Sequence, residues 1–178
     1  SERRIRERRD QVKKVVRAGA GAALMKTPEQ ISRIVKAVRS ATTLPLTVKI
    51  RSGWKRGEIN ALEVSRRAED GGADAVIIHP RTADQGFGGA ADWNVVALLG
   101  ESLKIPVVGS GDIRNPDDAL RMLDTTGCAA VMVGRASLGN PWIFADILAR
   151  LHGESSSPPV LALREALIRE HLQREIAY

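Results

Sequence analysis

Short apolar runs recur along the chain at nearly even intervals. They are Leu46-Thr47-Val48-Lys49-Ile50, Ala75-Val76-Ile77-Ile78-His79, Pro106 to Gly109 and Ala130 to Gly134, the first two beginning 29 residues apart. Each run is short and continuous, as expected for strands buried on both faces of a parallel sheet. Segments of helical period lie between them. Thr27-Pro28-Glu29-Gln30 offers an N-cap, a proline at the first helical position and a capping-box glutamine, after which Ile31, Ile34, Val35 and Val38 fall on one face. Ile59 to Asp70 reads as a helix closed by Gly71-Gly72. Asn115-Pro116 opens a helix carrying Leu120 and Leu123, and Asn140-Pro141 opens one with Ile143, Phe144, Ile147, Leu148 and Leu151 on a face. Strand and helix alternate four times, which predicts a parallel sheet with right-handed crossovers.

The fold class that follows is α/β of the (β/α)8 TIM-barrel type, with about four βα units present. At 178 residues the chain is short of the roughly 250 of a complete barrel. Residues 153–160, with Ser155-Ser156-Ser157-Pro158-Pro159, read as a linker, and residues 161–178 as the start of a helical domain with Leu167, Leu172 and Ile176 turned inward. Residues 1–11 form a charged segment unsuited to a buried strand. Residues 12–152 are then the partial barrel. Four units, a charged front and a cut-off helical domain together predict a fragment covering the second half of a barrel.

Composition narrows the classes. A hydrophobic content of 43% and a charged content of 27% indicate a globular chain. No apolar stretch approaches the roughly 20 residues of a membrane span, so a cytoplasmic protein without membrane partners is expected. The net charge is +6, but residues 1–14 hold seven Lys/Arg against three Asp/Glu and account for most of it. The charge alone permits a nucleic-acid partner without pointing to one. The single cysteine, Cys128, excludes an internal disulfide and a cysteine-cluster metal site, and its apolar flanks suggest a core thiol.

The chemistry gathers at the ends of the strands. Val107-Val108-Gly109-Ser110-Gly111-Asp112 and Val131-Met132-Val133-Gly134-Arg135 are β-branched runs that stop at glycine, each followed by a helix-start signal. Such ends let a ligand approach the backbone, and the last two strands of a barrel are where phosphate is most often held. Arg135 adds a fixed positive charge. Lys49, inside the first strand, is costly there unless it faces a ligand or a partner, the alternative being a strand-end lysine that snorkels to solvent. His79 ends the second strand and shares the same mouth, and no second histidine or cysteine has metal-ligand spacing. Arg81 and the stretch Gln85-Gly86-Phe87-Gly88-Gly89 to Trp93 form a glycine-rich lip.

Taken together, Val48 to Trp54, His79-Pro80-Arg81-Thr82 with Gln85-Gly86, Ala91-Asp92-Trp93, Gly109 to Ile113, and Gly134-Arg135-Ala136 with Gly139 to Trp142 resemble the flavin-dependent tRNA-dihydrouridine synthases, most closely the bacterial B-type branch. The resemblance runs from about Val12 to Ile147. It implies an FMN-containing barrel, monomeric in the full-length enzyme, that uses NADPH to reduce the C5=C6 bond of uridines in tRNA. By motif, Lys49 matches a lysine at the flavin ring and His79 a histidine at the flavin. Ser110, Gly111, Asp112, Gly134 and Arg135 match the segments around the flavin phosphate. Arg51, Arg81 and Gln85 are candidates for tRNA contact.

One departure bears on activity. Members carry Asn-x-Gly-Cys-Pro, whose cysteine protonates uracil C5, just before the Val-Lys-Lys-Val that is Val12 to Val15 here, and in this chain Asp10 takes the cysteine's place. An exposed aspartate is ionised at neutral pH and a poor acid. No catalytic residue is therefore assigned, and the isolated chain is expected to lack the activity. The alternatives are a non-catalytic RNA- or partner-binding fragment, and another FMN-dependent TIM-barrel oxidoreductase.

Overall fold

The computed structural model describes residues 18–176; residues 1–17, with Asp10 and the charged front, lie outside them. Four strands, β1 (Thr47–Arg51), β2 (Ala75–His79), β3 (Val107–Ser110) and β4 (Ala130–Met132), form one sheet in the order β1-β2-β3-β4. All three pairings are parallel, so each connection is a crossover. Helix α1 (Pro28–Ala41) precedes β1, the three crossovers are helical, α2 (Ala61–Asp70), α3 (Trp93–Ser102) and α4 (Pro116–Thr126) in turn, and α5 (Ile143–Leu151) follows β4. This is the α/β arrangement read from the strand spacing, four βα units of the TIM-barrel type.

Helix α3 is absent from the sequence reading, which places Trp93 in the glycine-rich lip. Its signals were present: the Asp92 side chain caps it by accepting from Asn94 N–H, and Val95, Val96 and Leu99 are buried along one face. Elsewhere the caps are mixed. Asn115 caps α4 through Asp118 N–H, as expected, but Thr27 makes no cap bond, because its hydroxyl points back to the Leu24 carbonyl. Helix α2 begins at Ala61, since Ile59 is drawn into an antiparallel bridge with Gly53.

Sheet and helices bury one continuous core. Val76, Ile78, Val96, Leu99, Ala119 and Met122 are sealed from solvent between them. Gly109 belongs to this layer. A Cβ built on it would lie 2.5 Å from Met122 Sδ and 3.2 Å from Cys128 Sγ, so its missing side chain makes room for the core, not for a ligand. Cys128 is buried there.

The opposite sheet face carries the alternate residues. Register places Lys49, Ile77, Val108 and Ala130 in one row and Arg51 beside His79 in the row above, with Ser110 beside Met132. The end helices of the arc show the same asymmetry. In α1, Ile31 and Val35 are buried but Ile34 and Val38 are exposed; in α5, Ile143 and Ile147 are buried but Phe144, Leu148 and Leu151 are exposed. Each of these apolar stripes is wide enough for two neighbours and meets one. Helix α6 (Leu161–Ile176) departs from expectation: Leu167, Leu172 and Ile176, read as inward-facing, are exposed and no residue of the helix is buried, while its Arg164 lies 5.9 Å from the Trp142 ring.

Candidate functional site

The C-terminal ends of the strands converge on one cationic mouth. Lys49 and Arg51 come from β1, His79 closes β2, Arg81 follows it, Gly111 and Asp112 follow β3, and Gly134 and Arg135 follow β4. Burial lowers the Lys49 pKa, and the Arg51 charge beside it lowers it further. Among the described residues neither cation is in an ion pair. Positive charge without a counterion, gathered at strand ends, suits an anionic ligand.

Arg81 is the centre of the mouth. Although charged, it is only 2% exposed. Its Nη2 donates to both Asp112 carboxylate oxygens at 2.8 Å and to the Gly89 carbonyl at 2.6 Å, and its Nε donates to the Gly88 carbonyl. Asp112 also accepts from Ala91 N–H at 2.7 Å. Burial raises the Asp112 pKa, but the Ala91 and Arg81 hydrogen bonds and the Arg81 charge outweigh it and hold the carboxyl below its usual range. Asp112 sits at φ 57°, left-handed backbone that aspartate tolerates better than most residues, just after Gly111 at φ 100°. The Gly111 carbonyl accepts from Trp93 Nε1. One buried ion pair thus ties the end of β2, the lip and the turn after β3 into a rigid unit.

The three residues read as tRNA contacts are all turned inward. Arg51 Nη1 donates to the carbonyls of Thr82 and Gly86, and the Gln85 side-chain oxygen accepts from Thr82 N–H. With Arg81 on Gly88 and Gly89, all three brace the lip, whose turning backbone leaves carbonyls that need donors and, at Thr82, an N–H that needs an acceptor. The exposed cations of the region are Lys55, Arg56, Arg114 and Arg135.

The glycines of the site serve different ends. A Cβ on Gly111 would lie 3.0 Å from His79 Cδ2 and from the Ala91 Cβ, so that glycine allows the turn to close on the histidine ring. A Cβ on Gly134 would meet nothing within 4 Å. Its backbone faces open space, beside the Arg135 side chain, which is 61% exposed. A single 3-10 turn, Arg135–Ser137, follows Gly134 where the sequence suggested a helix start. Arg135 rests 5.0 Å from the Phe87 ring and 3.8 Å from Asp112. Ser110, nearly buried, lies at the end of β3.

His79 is held neutral. Burial is the largest cause, and the charges of Arg51, Lys49 and Arg81 add to it against the opposing Asp112, taking its pKa to about 4. Among the described residues, no three His, Cys, Asp or Glu side chains converge as metal ligands, and no helix is long and apolar enough to cross a membrane.

Fold and site define a TIM-barrel-type α/β protein with an anion-ready mouth at the carboxyl ends of its strands. The family model described as Dihydrouridine synthase (Dus) matches residues 12–177. The chain belongs to this family. It is 44% identical to a probable tRNA-dihydrouridine synthase of Rhodobacter capsulatus over 80% of this chain and 44% of that protein. It is 43% identical to tRNA-dihydrouridine synthase B of Xanthomonas axonopodis pv. citri over 90% of this chain and 49% of that protein. The chain spans about half the length of these curated relatives. Among solved structures, an N-acetylmannosamine-6-phosphate 2-epimerase from Clostridium perfringens matches with a TM-score of 0.45 and 22% identity, over 69% of this chain and 48% of that one.

Proposed function

We propose that this chain supplies the FMN-holding side of a tRNA-dihydrouridine synthase, an oxidoreductase that reduces the C5=C6 bond of uridine in tRNA at the expense of NADPH. The observation that carries the reading is the mouth itself, where among the described residues Lys49 and Arg51 lack a carboxylate partner and Arg135 stands exposed beside open backbone at Gly134. The donor set fits a ligand with a phosphate at one end and a polar ring at the other. Arg135 and the backbone of Gly134 would take the phosphate, with Ser110 and Gly111 beside them. Lys49 and His79 would face the ring. FMN, when bound, supplies the two-electron chemistry, and the chain's own residues bind, orient and polarise it. Asp112 is committed to Arg81 and acts on the cofactor only by fixing the turn that carries Gly111.

For tRNA, the exposed Lys55, Arg56 and Arg114 on the same rim are better placed than the inward-turned Arg51, Arg81 and Gln85. No thiol reaches the mouth within the described residues, since Cys128 is buried in the helix layer. Proton donation to uracil is therefore not assigned to this chain.

The test compares FMN with riboflavin, which lacks the phosphate. A charge-assisted pair is worth roughly 1.5–3 kcal/mol, so Arg135→Ala should weaken FMN binding by about ten- to a hundredfold and leave riboflavin nearly unchanged. Equal losses for both ligands, or no saturable FMN binding to the chain, would overturn the reading.

A further inference from the structure

One ring nitrogen of His79 is already engaged inside the protein. Its Nε2 lies 3.4 Å from Arg81 Nη1. A guanidinium has N–H donors and no acceptor, so the nitrogen that faces it must accept. In a neutral imidazole only the unprotonated nitrogen can do that, which leaves the proton on Nδ1. Arg81 has no freedom to turn away, since its other N–H groups are held by Gly88, Gly89 and Asp112 and its side chain is sealed from water. Gly111 walls the same edge of the ring, where a Cβ would stand 3.0 Å from Cδ2 and 3.4 Å from Nε2. Among the described residues, Nδ1 has no hydrogen-bond partner.

We propose that Arg81 is a positioning residue that fixes His79 as its neutral Nδ1–H tautomer, so that the imidazole offers the mouth a hydrogen-bond donor. The ligand atom it serves is then an acceptor, a carbonyl oxygen or an unprotonated ring nitrogen. Naming that acceptor as part of a flavin rests on the function proposed above; the tautomer does not. The surrounding charges agree with a neutral ring. Lys49 and Arg51 face it from β1 and Arg81 from the end of β2, against the single carboxylate of Asp112 after β3. Phe87, on the lip, is tilted 6.5 Å away and carries no charge, and Arg135 after β4 is itself drawn to Asp112 and Phe87. The arrangement makes Arg81 serve two ends at once: its Nη2 and Nε hold the lip and the turn, and its Nη1 sets the polarity of the histidine.

The experiment uses the full 178-residue chain labelled with 15N-histidine, read by two-bond 1H–15N spectra at neutral pH. The His79 signals are those missing from His79→Gln, since His152 and His171 stay in both. An unprotonated Nε2 and a protonated Nδ1, unchanged down to about pH 5, are expected from a ring shielded by three cations. Arg81→Met removes the donor, so the Nδ1–H form loses its dominance and the ring's titration moves to higher pH. If that variant does not fold, Arg81→Lys takes its place. Its single ammonium is claimed by Asp112 and no longer reaches Nε2. A protonated Nε2 in the unmodified chain overturns the proposal. So does an Nδ1–H tautomer that survives in Arg81→Met, or in Arg81→Lys where that variant is used. FMN titration of the same samples separates the two readings: no FMN binding with Nδ1–H in place rejects the cofactor, whereas FMN binding beside Nε2–H rejects the tautomer.

Discussion

Removing the Asp112 carboxylate should unfold the chain more readily than any substitution on its exposed helix faces. Arg81 would then be a buried cation, 2% exposed, without its counterion, and the Ala91 N–H would lose its acceptor. Breaking a buried pair by deleting one partner costs about 3–5 kcal/mol, and the 15% exposure of Asp112 places this pair near the lower end. Asp112→Asn keeps the size and the tolerance for φ 57° but brings an NH2 group against donors, so about 3 kcal/mol is expected. Asp112→Gly also loses the carboxylate, but glycine relieves the left-handed backbone by about 1 kcal/mol, so the net loss should be about 2. Arg81→Met alone removes the charge and leaves the carbonyls of Gly88 and Gly89 without a donor. Urea denaturation of the single variants and of Arg81→Met/Asp112→Asn closes a double-mutant cycle. The double variant should be milder than the sum of the singles by ~2 kcal/mol, because the second substitution removes the charge that the first stranded. Additivity within about 0.5 kcal/mol would show that the pair is not the clamp described here.

Acid should destabilise the fold through His79. Its folded pKa, about 4, lies below the ordinary 6.5, so the unfolded chain binds more protons between those values. Stability is then full above pH 6.5 and falls as pH drops towards 4. The half-buried ring suggests a loss of about 1–2 kcal/mol after solvent screening, and urea midpoints unchanged between pH 7 and 4.5 in the wild type, or an identical acid loss in His79→Gln, would contradict it. Gly109→Ala should cost about 1–3 kcal/mol, because the new methyl group would stand 2.5 Å from Met122 Sδ against a packed core; a thermal midpoint equal to wild type would refute that. Gly134→Ala, with open space around it, should leave thermal stability within about 0.5 kcal/mol of wild type. The chain supplied with FMN, NADPH and tRNA should form no dihydrouridine, since its one cysteine is buried away from the mouth, and detection of the product by nucleoside analysis would show that another group serves as the acid.

The repeating interval of apolar runs was enough to specify a parallel α/β sheet, because a strand buried on both faces must be apolar throughout and a parallel return requires a helix. The same logic located the mouth: strand ends in a βα repeat all lie on one side, so Lys49, His79, Ser110, Gly111, Asp112, Gly134 and Arg135 could be grouped before any coordinate was known. The family resemblance, carried by those same strand ends, was legible for that reason. What the sequence could not determine is the direction in which a long polar side chain turns. Arg51, Arg81 and Gln85 look like surface ligands in a glycine-rich context, yet the carbonyls of the lip draw the two arginines inward, the Asp112 carboxylate holds Arg81 across 31 residues of chain, and the Thr82 N–H holds the Gln85 side chain. The meaning of each glycine was likewise hidden, since Gly109 yields to Met122, Gly111 to His79, and Gly134 to nothing. Local pattern encodes the face a residue sits on, because that depends on strand and helix period alone. Which partner it finds there depends on atoms contributed by other units of the repeat, and only the tertiary structure brings those into contact.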